Sequence, residues 1–378
     1  MAPRPVFFYG SLRDETLLSL VTGRSPADLR LAPARLPGWA VRAVAGEGFP
    51  CIVPVPGEAA PGAILPDAGP EERARILFFE DEDEFRFETH AVETGSGPVE
   101  ALVCMPTAAT RSDGPWRFEA WPEPMRAHAR ECAREIMALY ERGADWSDET
   151  LWPGIKARAA ARARAAAAPP TPGLAGGAVT RDGVATRRID RPYASFFAVE
   201  EHRLSLPTFA GGATPEVRRA VWCSGDAVTV LPWDPARDLV LLITQWRAGP
   251  HARGDAKPWP VEVVAGRLDG PEDPAACARR EAAEEAGLTL GRMALVSPYY
   301  SSPGTVAEQV VSYVAEADLS AAGGVGGLAQ ETEDVLSRVL ALEEALGMAD
   351  RGEVDSAPAL LSLLWLARHR ERLRAAWT

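Results

Sequence analysis

Gly266 to Leu288 reads GRLDGPEDPAACARREAAEEAGL, and its reading decides the fold of the C-terminal half. Asp273 followed by Pro274 starts a helix. An aspartate accepts from the free amides of a first turn, and the fixed φ of proline suits the first helical position. Gly287 stops the helix, because glycine enters the left-handed conformation without steric cost. A helix from Pro274 to Ala286 is therefore expected. Glu281, Glu284 and Glu285 crowd its last turns, with Glu281 and Glu285 on one face and Glu284 beside it. A helix C-terminus carries partial negative charge and prefers Lys or Arg. A solvated acidic end does not explain why the acids stand where they cost most. A bound hard cation removes the conflict. Oxygen ligands suit magnesium, which keeps several waters and bridges to phosphates. Such a metal polarises a diphosphate and stabilises charge as its P–O bond breaks.

Gly266, five residues, Glu272, seven residues and then Arg280-Glu281-Ala282-Ala283-Glu284-Glu285-Ala286-Gly287-Leu288 resembles a complete Nudix box. The resemblance implies that Glu281 and Glu285 are metal ligands, joined by the Ala265 carbonyl. It implies that Arg280 pairs with Glu272 and holds the loop against the helix, with Gly266 and Gly287 as the structural glycines. Glu284 becomes a further catalytic candidate. Magnesium is the implied cofactor, with manganese as the alternative.

Outward from the box the likeness continues over most of Gly183 to Thr378. Arg218-Arg219, Leu231-Pro232-Trp233-Asp234, Gln245-Trp246-Arg247 and Glu262-Val263-Val264-Ala265-Gly266 resemble the ADP-ribose pyrophosphatase branch. So does Ser302-Pro303-Gly304 with Glu308. Gly327-Leu328-Ala329-Gln330-Glu331-Thr332-Glu333-Asp334 is similar to that branch's acidic catalytic loop. By resemblance Glu331 is the general base and Glu333 a metal ligand. Arg247 suits a phosphate, and Arg218, Arg219, Glu262 and Pro303 join the substrate-binding set. ADP-ribose, split into AMP and ribose 5-phosphate, is the implied small-molecule nucleotide substrate. GDP-mannose hydrolases share the box and remain the alternative. The segment Ser195-Phe196-Phe197 through Arg218-Arg219 implies a homodimer whose protomers share each site.

Periodicity supplies the elements around the box. Ala220–Cys223, Ala227–Pro232, Leu239–Gln245, Val261–Ala265, Met293–Val296 and Gln309–Val314 read as strands. Leu342–Met348 and Ala357–Ala376 read as helices. Helices on both faces of a mixed sheet follow, and the resemblance makes this an α/β/α sandwich.

A seam precedes that half. Lys156 to Ala168 reads KARAAARARAAAA, a strong helix former, and Pro169 to Gly177 reads PPTPGLAGG, which cannot continue one. Arg158 and Arg162 share a face, as on a solvated connector. The organisation expected is a first domain over 1–155, this helix and linker over 156–182, and a second domain over 183–378.

Before the seam, Val6–Tyr9, Cys51–Val55 and Ala101–Met105 read as strands and Met125–Arg142 as an amphipathic helix, a small mixed α+β domain. Val6-Phe7-Phe8-Tyr9-Gly10-Ser11-Leu12-Arg13-Asp14 runs a strand into a glycine turn whose amides could face an anion. With Gly48-Phe49-Pro50-Cys51-Ile52-Val53-Pro54, Phe79-Glu80 and Phe85, it resembles the gamma-glutamylcyclotransferase-like, or AIG2-like, family over about Pro5 to Gly143. That likeness implies a barrel-like fold. It implies a substrate loop at Tyr9, Gly10, Ser11 and Leu12, and a strand carrying Glu80 as acid/base for release of 5-oxoproline. Phe85 departs from the tyrosine common at its place. Glu80 opens the run Glu80-Asp81-Glu82-Asp83-Glu84, yet it follows Leu77-Phe78-Phe79 and so can sit at an apolar edge. An N-terminal domain that only binds, or that mediates dimer formation, is the competing reading. A chain that merely senses ADP-ribose is disfavoured, since a sensor need not keep a general base.

Composition bounds the rest. The 378 residues exceed one ordinary core. Forty Lys and Arg against 53 Asp and Glu give a net charge of -13, which argues against a general nucleic-acid binder. Five scattered cysteines without CxxC spacing read as free thiols in a reducing compartment. No signal peptide or membrane-spanning run is read, so the cytoplasm and no membrane partner are expected.

Overall fold

The computed structural model describes residues 2–45, 47–108, 112–144, 148, 150–171, 173–174, 179–327 and 334–377. The chain divides into two compact units, Met1–Ala168 and Pro169–Thr378.

The first unit contains β1 (Arg4–Phe8), α1 (Glu15–Thr22), β2 (Ala32–Val44), β3 (Pro50–Ala68), α2 (Pro70–Glu80) and β4 (Phe85–Thr94). It continues with β5 (Gly97–Pro106), β6 (Ser112–Pro115), α3 (Glu123–Tyr140) and α4 (Leu151–Ala167). Strands β1, β5, β4, β2 and β3 pair in that order and β3 returns to β1, closing a five-stranded barrel. Closure removes the exposed edges that an open sheet presents. Alternation sorts the side chains: Phe7 fills the interior with Tyr9, Leu36, Ile52, Ile64 and Val103, while Val6 and Phe8 pack outward on Leu17, Leu18 and Ile136. Gly62 permits a close crossing, since a Cβ there would stand 2.4 Å from the Phe8 carbonyl oxygen.

Two expectations are corrected here. Glu80 ends helix α2 and does not lie on a strand. Pro70 suits the first turn, and Glu72 reaches back to the Gly69 amide at 2.6 Å, so helix initiation wins over the apolar run that follows. The Ala/Arg helix is no solvated connector. Ile155, Ala157, Ala159 and Ala160 of α4 are buried, and small side chains let it pack closely on α3. Arg158 and Arg162 do share a face, but it is turned to Glu135, at 2.8 Å from Arg158 Nε and 2.9 Å from Arg162 Nη1.

The second unit opens with β7 (Ala185–Ala194), β8 (Ala198–Ser205) and β9 (Val217–Cys223), an antiparallel sheet of its own. Then come β10 (Ala227–Asp234), β11 (Leu239–Thr244), α5 (Ala248–Arg253), β12 (Val261–Glu262), β13 (Val264–Arg267) and α6 (Pro274–Ala286). They are followed by β14 (Met293–Tyr300), β15 (Gln309–Glu316), β16 (Gly324–Gly326), β17 (Val335–Ala341), α7 (Leu342–Asp350) and α8 (Ala357–Trp377). The larger sheet runs β14-β15-β10-β11-β17-β16, with β12 on β11 and β13 on β10. The expected single strand Val261–Ala265 is thus two, because the chain changes partner at Val263.

Both faces of this sheet are covered, which is why β10 and β11 read as continuous apolar runs. Val228, Val230, Leu241 and Ile243 meet Cys277, Ala278 and Ala282 of α6. Their neighbours Leu231, Trp233, Val240 and Leu242 meet Leu342, Leu363, Leu366 and Trp377 on the opposite side. The α/β/α sandwich stands as expected, and α6 keeps its expected limits. Asp273 accepts from the Ala276 amide at 3.0 Å, and Gly287 has a φ of 64°.

Candidate active site

Helix α6 is held by its buried Ala278 and Ala282. That packing carries Glu281 and Glu285 to β13 and to Gln245, just past the end of β11. Glu285 is 1% exposed. Gln245 Nε2 donates to its Oε1 at 3.1 Å, and the Ala265 amide donates to its Oε2 at 3.1 Å. Two fixed donors thus aim a buried carboxylate. Glu281 lies against Gly266 so closely that a Cβ there would stand 1.9 Å from Oε1. Any larger residue there would have to displace the Glu281 side chain, which gives Gly266 its physical reason. Burial pushes Glu281 up to about 7; Arg280 opposes the shift, and Glu285 and Glu284 add to it.

Arg280 occupies the centre of these acids. Its Nη1 lies 2.8 Å from Glu281 and 2.9 Å from Glu284, and its Nε and Nη2 reach Glu272 at 3.4 Å. The pairing with Glu272 is the one the resemblance implies. One guanidinium faces Glu272, Glu281 and Glu284, with Glu285 beside them, so the donor set is oxygen-rich and negative, as a hard cation requires. Among the described residues no three such side chains already converge on one ligating point. Glu331 and Glu333, the base and ligand expected from the acidic loop, lie outside the described residues. The start of that loop is near, since a Cβ on Gly326 would stand 2.4 Å from the Glu285 carbonyl oxygen.

Arg247 follows Gln245 by two residues and pairs with Glu262 at 2.8 Å. Burial raises the pKa of Glu262 against the pull of Arg247. Arg218 and Arg219 lie exposed on β9, where Arg218 bonds Glu201 at 2.5 Å. Pro303 sits in a turn closed by the Thr305 and Val306 amides on the Ser302 carbonyl. The Trp222 amide then bonds the Thr305 carbonyl at 2.8 Å and ties that turn to β9. Glu308 accepts from Ser224 and Ser301, each at 3.3 Å. Local sequence gives Gln245 no role, because its contact is 40 positions away in the chain.

In the first unit, Tyr9 directly follows β1 and Gly10 opens a short turn over Ser11–Arg13. A Cβ on Gly10 would come within 2.9 Å of the Pro50 ring. Asp14 caps α1 through the Leu17 amide at 2.8 Å and takes Arg130 Nη2 at 2.6 Å, which anchors the loop. Burial pushes the pKa of Asp14 upward, but the Arg130 and Leu17 hydrogen bonds prevail and hold it below the usual value. Glu80 retains some exposed surface, yet burial around its carboxyl pushes it up to about 7. Its charge reaches Tyr9 and Cys104. Burial raises both of those groups, and Glu80 adds to each shift. Asp81, with φ of 69°, turns the chain so that Glu82 to Glu84 face solvent. All five cysteines are free and buried.

Comparison with known proteins agrees with both geometries. The NUDIX domain model matches residues 193–363, and the model described as gamma-glutamyl cyclotransferase, AIG2-like, matches 6–121. An ADP-ribose pyrophosphatase of Escherichia coli K12 is 37% identical over 185 residues, spanning 49% of this chain and 88% of that protein. One from Haemophilus influenzae is 32% identical over 187 residues, spanning 49% and 86%. A GDP-mannose pyrophosphatase of Enterobacter sp. strain 638 is 35% identical over 150 residues, spanning 39% and 77%. Through the unit that carries Glu281 and Glu285 on α6, with an AIG2-like barrel before it, the chain belongs to the NUDIX family.

Proposed function

We propose that the second unit hydrolyses ADP-ribose to AMP and ribose 5-phosphate with bound magnesium, or manganese in its place. The observation that carries this is the buried Glu285, aimed by Gln245 and Ala265 beside Glu281 at a helix end that disfavours acids. Glu281, Glu285, Glu333 and the Ala265 carbonyl would hold the cation. When bound, it would neutralise the diphosphate and stabilise the charge on the departing oxygen. Glu331 takes a proton from water as the water oxygen attacks phosphorus. The bridging P–O bond breaks, and its electrons leave with the second phosphate. Arg247 faces a phosphate, Glu262 keeps Arg247 oriented, and Arg218 and Arg219 serve the base end. Pro303 joins the substrate contacts. A panel of nucleoside diphosphate sugars assayed with magnesium tests this. Preference for GDP-mannose, which the Enterobacter relative supports, replaces the substrate; no hydrolysis of any member removes the reading.

The barrel is proposed to release 5-oxoproline from gamma-glutamyl amides. The substrate amine attacks its own side-chain amide carbonyl and gives a proton to the Glu80 carboxylate; the amide C–N bond breaks, and Glu80 passes that proton to the departing amine. A buried acid near neutrality beside the Tyr9–Leu12 loop supports it. Phe85, in place of a tyrosine, favours the competing reading of a binding module. Release of 5-oxoproline, measured on gamma-glutamyl amines, decides between them.

A homodimer built on β7, β8 and β9 is also proposed. Ile189 and Tyr193 are 50% and 53% exposed there, more apolar surface than a free edge carries comfortably. Light scattering tests it, and a fully active monomer of 40.5 kDa refutes it.

A further inference from the structure

Arg267 directly follows Gly266 in the box. Its backbone is fixed twice: it pairs with Ala227 of β10, and its carbonyl accepts the Cys277 thiol at 3.3 Å. Its side chain leaves the larger sheet. The guanidinium carbon lies 4.1 Å from the Phe196 ring centre and 5.5 Å from that of Phe197, and Nη2 donates to the Ser224 carbonyl at 2.8 Å. Phe196 meets Phe197 edge-on at 4.8 Å, and Phe197 meets Trp222 at 5.0 Å. Phe196 and Trp222 each keep 39% of their surface exposed.

These rings stand on β9 and on the turn between β7 and β8, in a sheet separate from that of the acids. Among the described residues, strand pairing between the two sheets is confined to the Trp222–Val306 bridge. A guanidinium over aromatic faces is attracted by their negative π clouds and stacks flat where an ammonium cannot. One side chain therefore links three half-exposed rings to the residue adjoining Gly266, against which Glu281 is pressed.

We propose that Arg267 is a positioning residue: it holds the Phe196–Phe197–Trp222 rings in register with the Gly266 loop, so that a planar base seated on the rings places its diphosphate at the α6 carboxylates. This rests on the reading of the unit as a nucleoside diphosphate sugar hydrolase. Loss of the guanidinium loosens the base end while leaving the acids intact.

Arg267→Met in the full chain tests it, with AMP as a base-bearing competitive inhibitor and ribose 5-phosphate as a base-free one. The AMP inhibition constant and the substrate KM should rise by about tenfold, the strength of a cation–π contact. The ribose 5-phosphate constant should stay unchanged and kcat should fall much less. Arg267→Lys, which keeps the charge but not the plane, should recover part of the loss. If Met does not fold, Lys against wild type carries the same comparison. Equal weakening of both inhibitors, or no weakening of AMP, overturns the proposal. A wild-type chain that hydrolyses no nucleoside diphosphate sugar instead overturns the reading beneath it.

Discussion

Glu281 and Glu80 both stand at about 7, and they arrive there differently. At Glu281 burial is opposed by Arg280 and reinforced by Glu285 and Glu284, so the acid belongs to a charged set. At Glu80 burial is the sole cause. A crowded set of carboxylates shares its surplus charge and is relieved by adding a cation. A single buried carboxyl is relieved by adding a proton. The first arrangement suits electrostatic work on a diphosphate, and the second suits proton transfer. Equal pKa values therefore do not imply equal chemistry.

The strongest test is a double dissociation. Glu285→Gln should abolish nucleotide hydrolysis, a loss of at least about a hundredfold, and leave any 5-oxoproline release untouched. Without metal its melting temperature should hold or rise, because the change relieves repulsion among the acids. Glu80→Gln should do the reverse to the two activities. If either variant damages both, the two sites are not the separate devices contrasted above. Near wild-type hydrolysis in the Glu285 variant would sink the metal-site assignment.

Glu331→Gln sharpens the contrast within the second unit. A base acts in the transition state, so kcat should fall by about 10²–10⁴ with little change in KM or magnesium affinity. An equal loss of magnesium affinity would make Glu331 a ligand and move the base elsewhere in the loop.

A third carboxylate, Glu135, shows what full compensation looks like. It is 2% exposed and bound by both Arg158 and Arg162. Removing one partner from a buried pair strands the other's charge, so Arg158→Ala should cost about 3–5 kcal/mol. Calorimetry should show that loss in the first unit, with hydrolysis by the second unit unchanged at low temperature. A shift below about 1 kcal/mol would mean that Arg158 is bound no better than a surface pair.

The legibility of these features in the sequence followed their range. Helix α6 was readable to its ends because its cap, its proline and its left-handed glycine are all local. The strands β10 and β11 were readable because burial on both faces leaves unbroken apolar runs. The burial of α4 was not, since an Ala/Arg repeat carries little amphipathic contrast and its partner Glu135 lies 23 positions away from Arg158. The β7–β8 hairpin, rich in Arg and Glu, hid its strands behind charge. Gln245 and Asp14 anchor the two sites through partners 40 and 116 positions distant, which no local pattern announces. The apolar neighbours of Glu80 mark it in the sequence, but its helix is not legible there because the start signal sits at Gly69–Glu72, a full helix length earlier.

The smallest effect expected is also the one that separates the two acids by titration. The folded chain holds Glu80 at about 7, above the ordinary carboxylate value of 4.5. Between those values the folded state binds a proton that the unfolded state has lost. Stability should therefore fall as pH rises from about 4.5 to about 7, and level off above it. Glu80→Gln removes the titrating group while keeping its shape, so the variant and wild type should unfold alike near pH 4 and diverge as pH rises. At pH 8 the variant should be the more stable, by at most about 3 kcal/mol, since part of the Glu80 surface meets solvent and softens the penalty. Urea unfolding of both chains across that range measures the difference. Parallel curves would show that the Glu80 carboxyl is already hydrated in the folded barrel. It would then lose the property that sets it apart from the acids of α6.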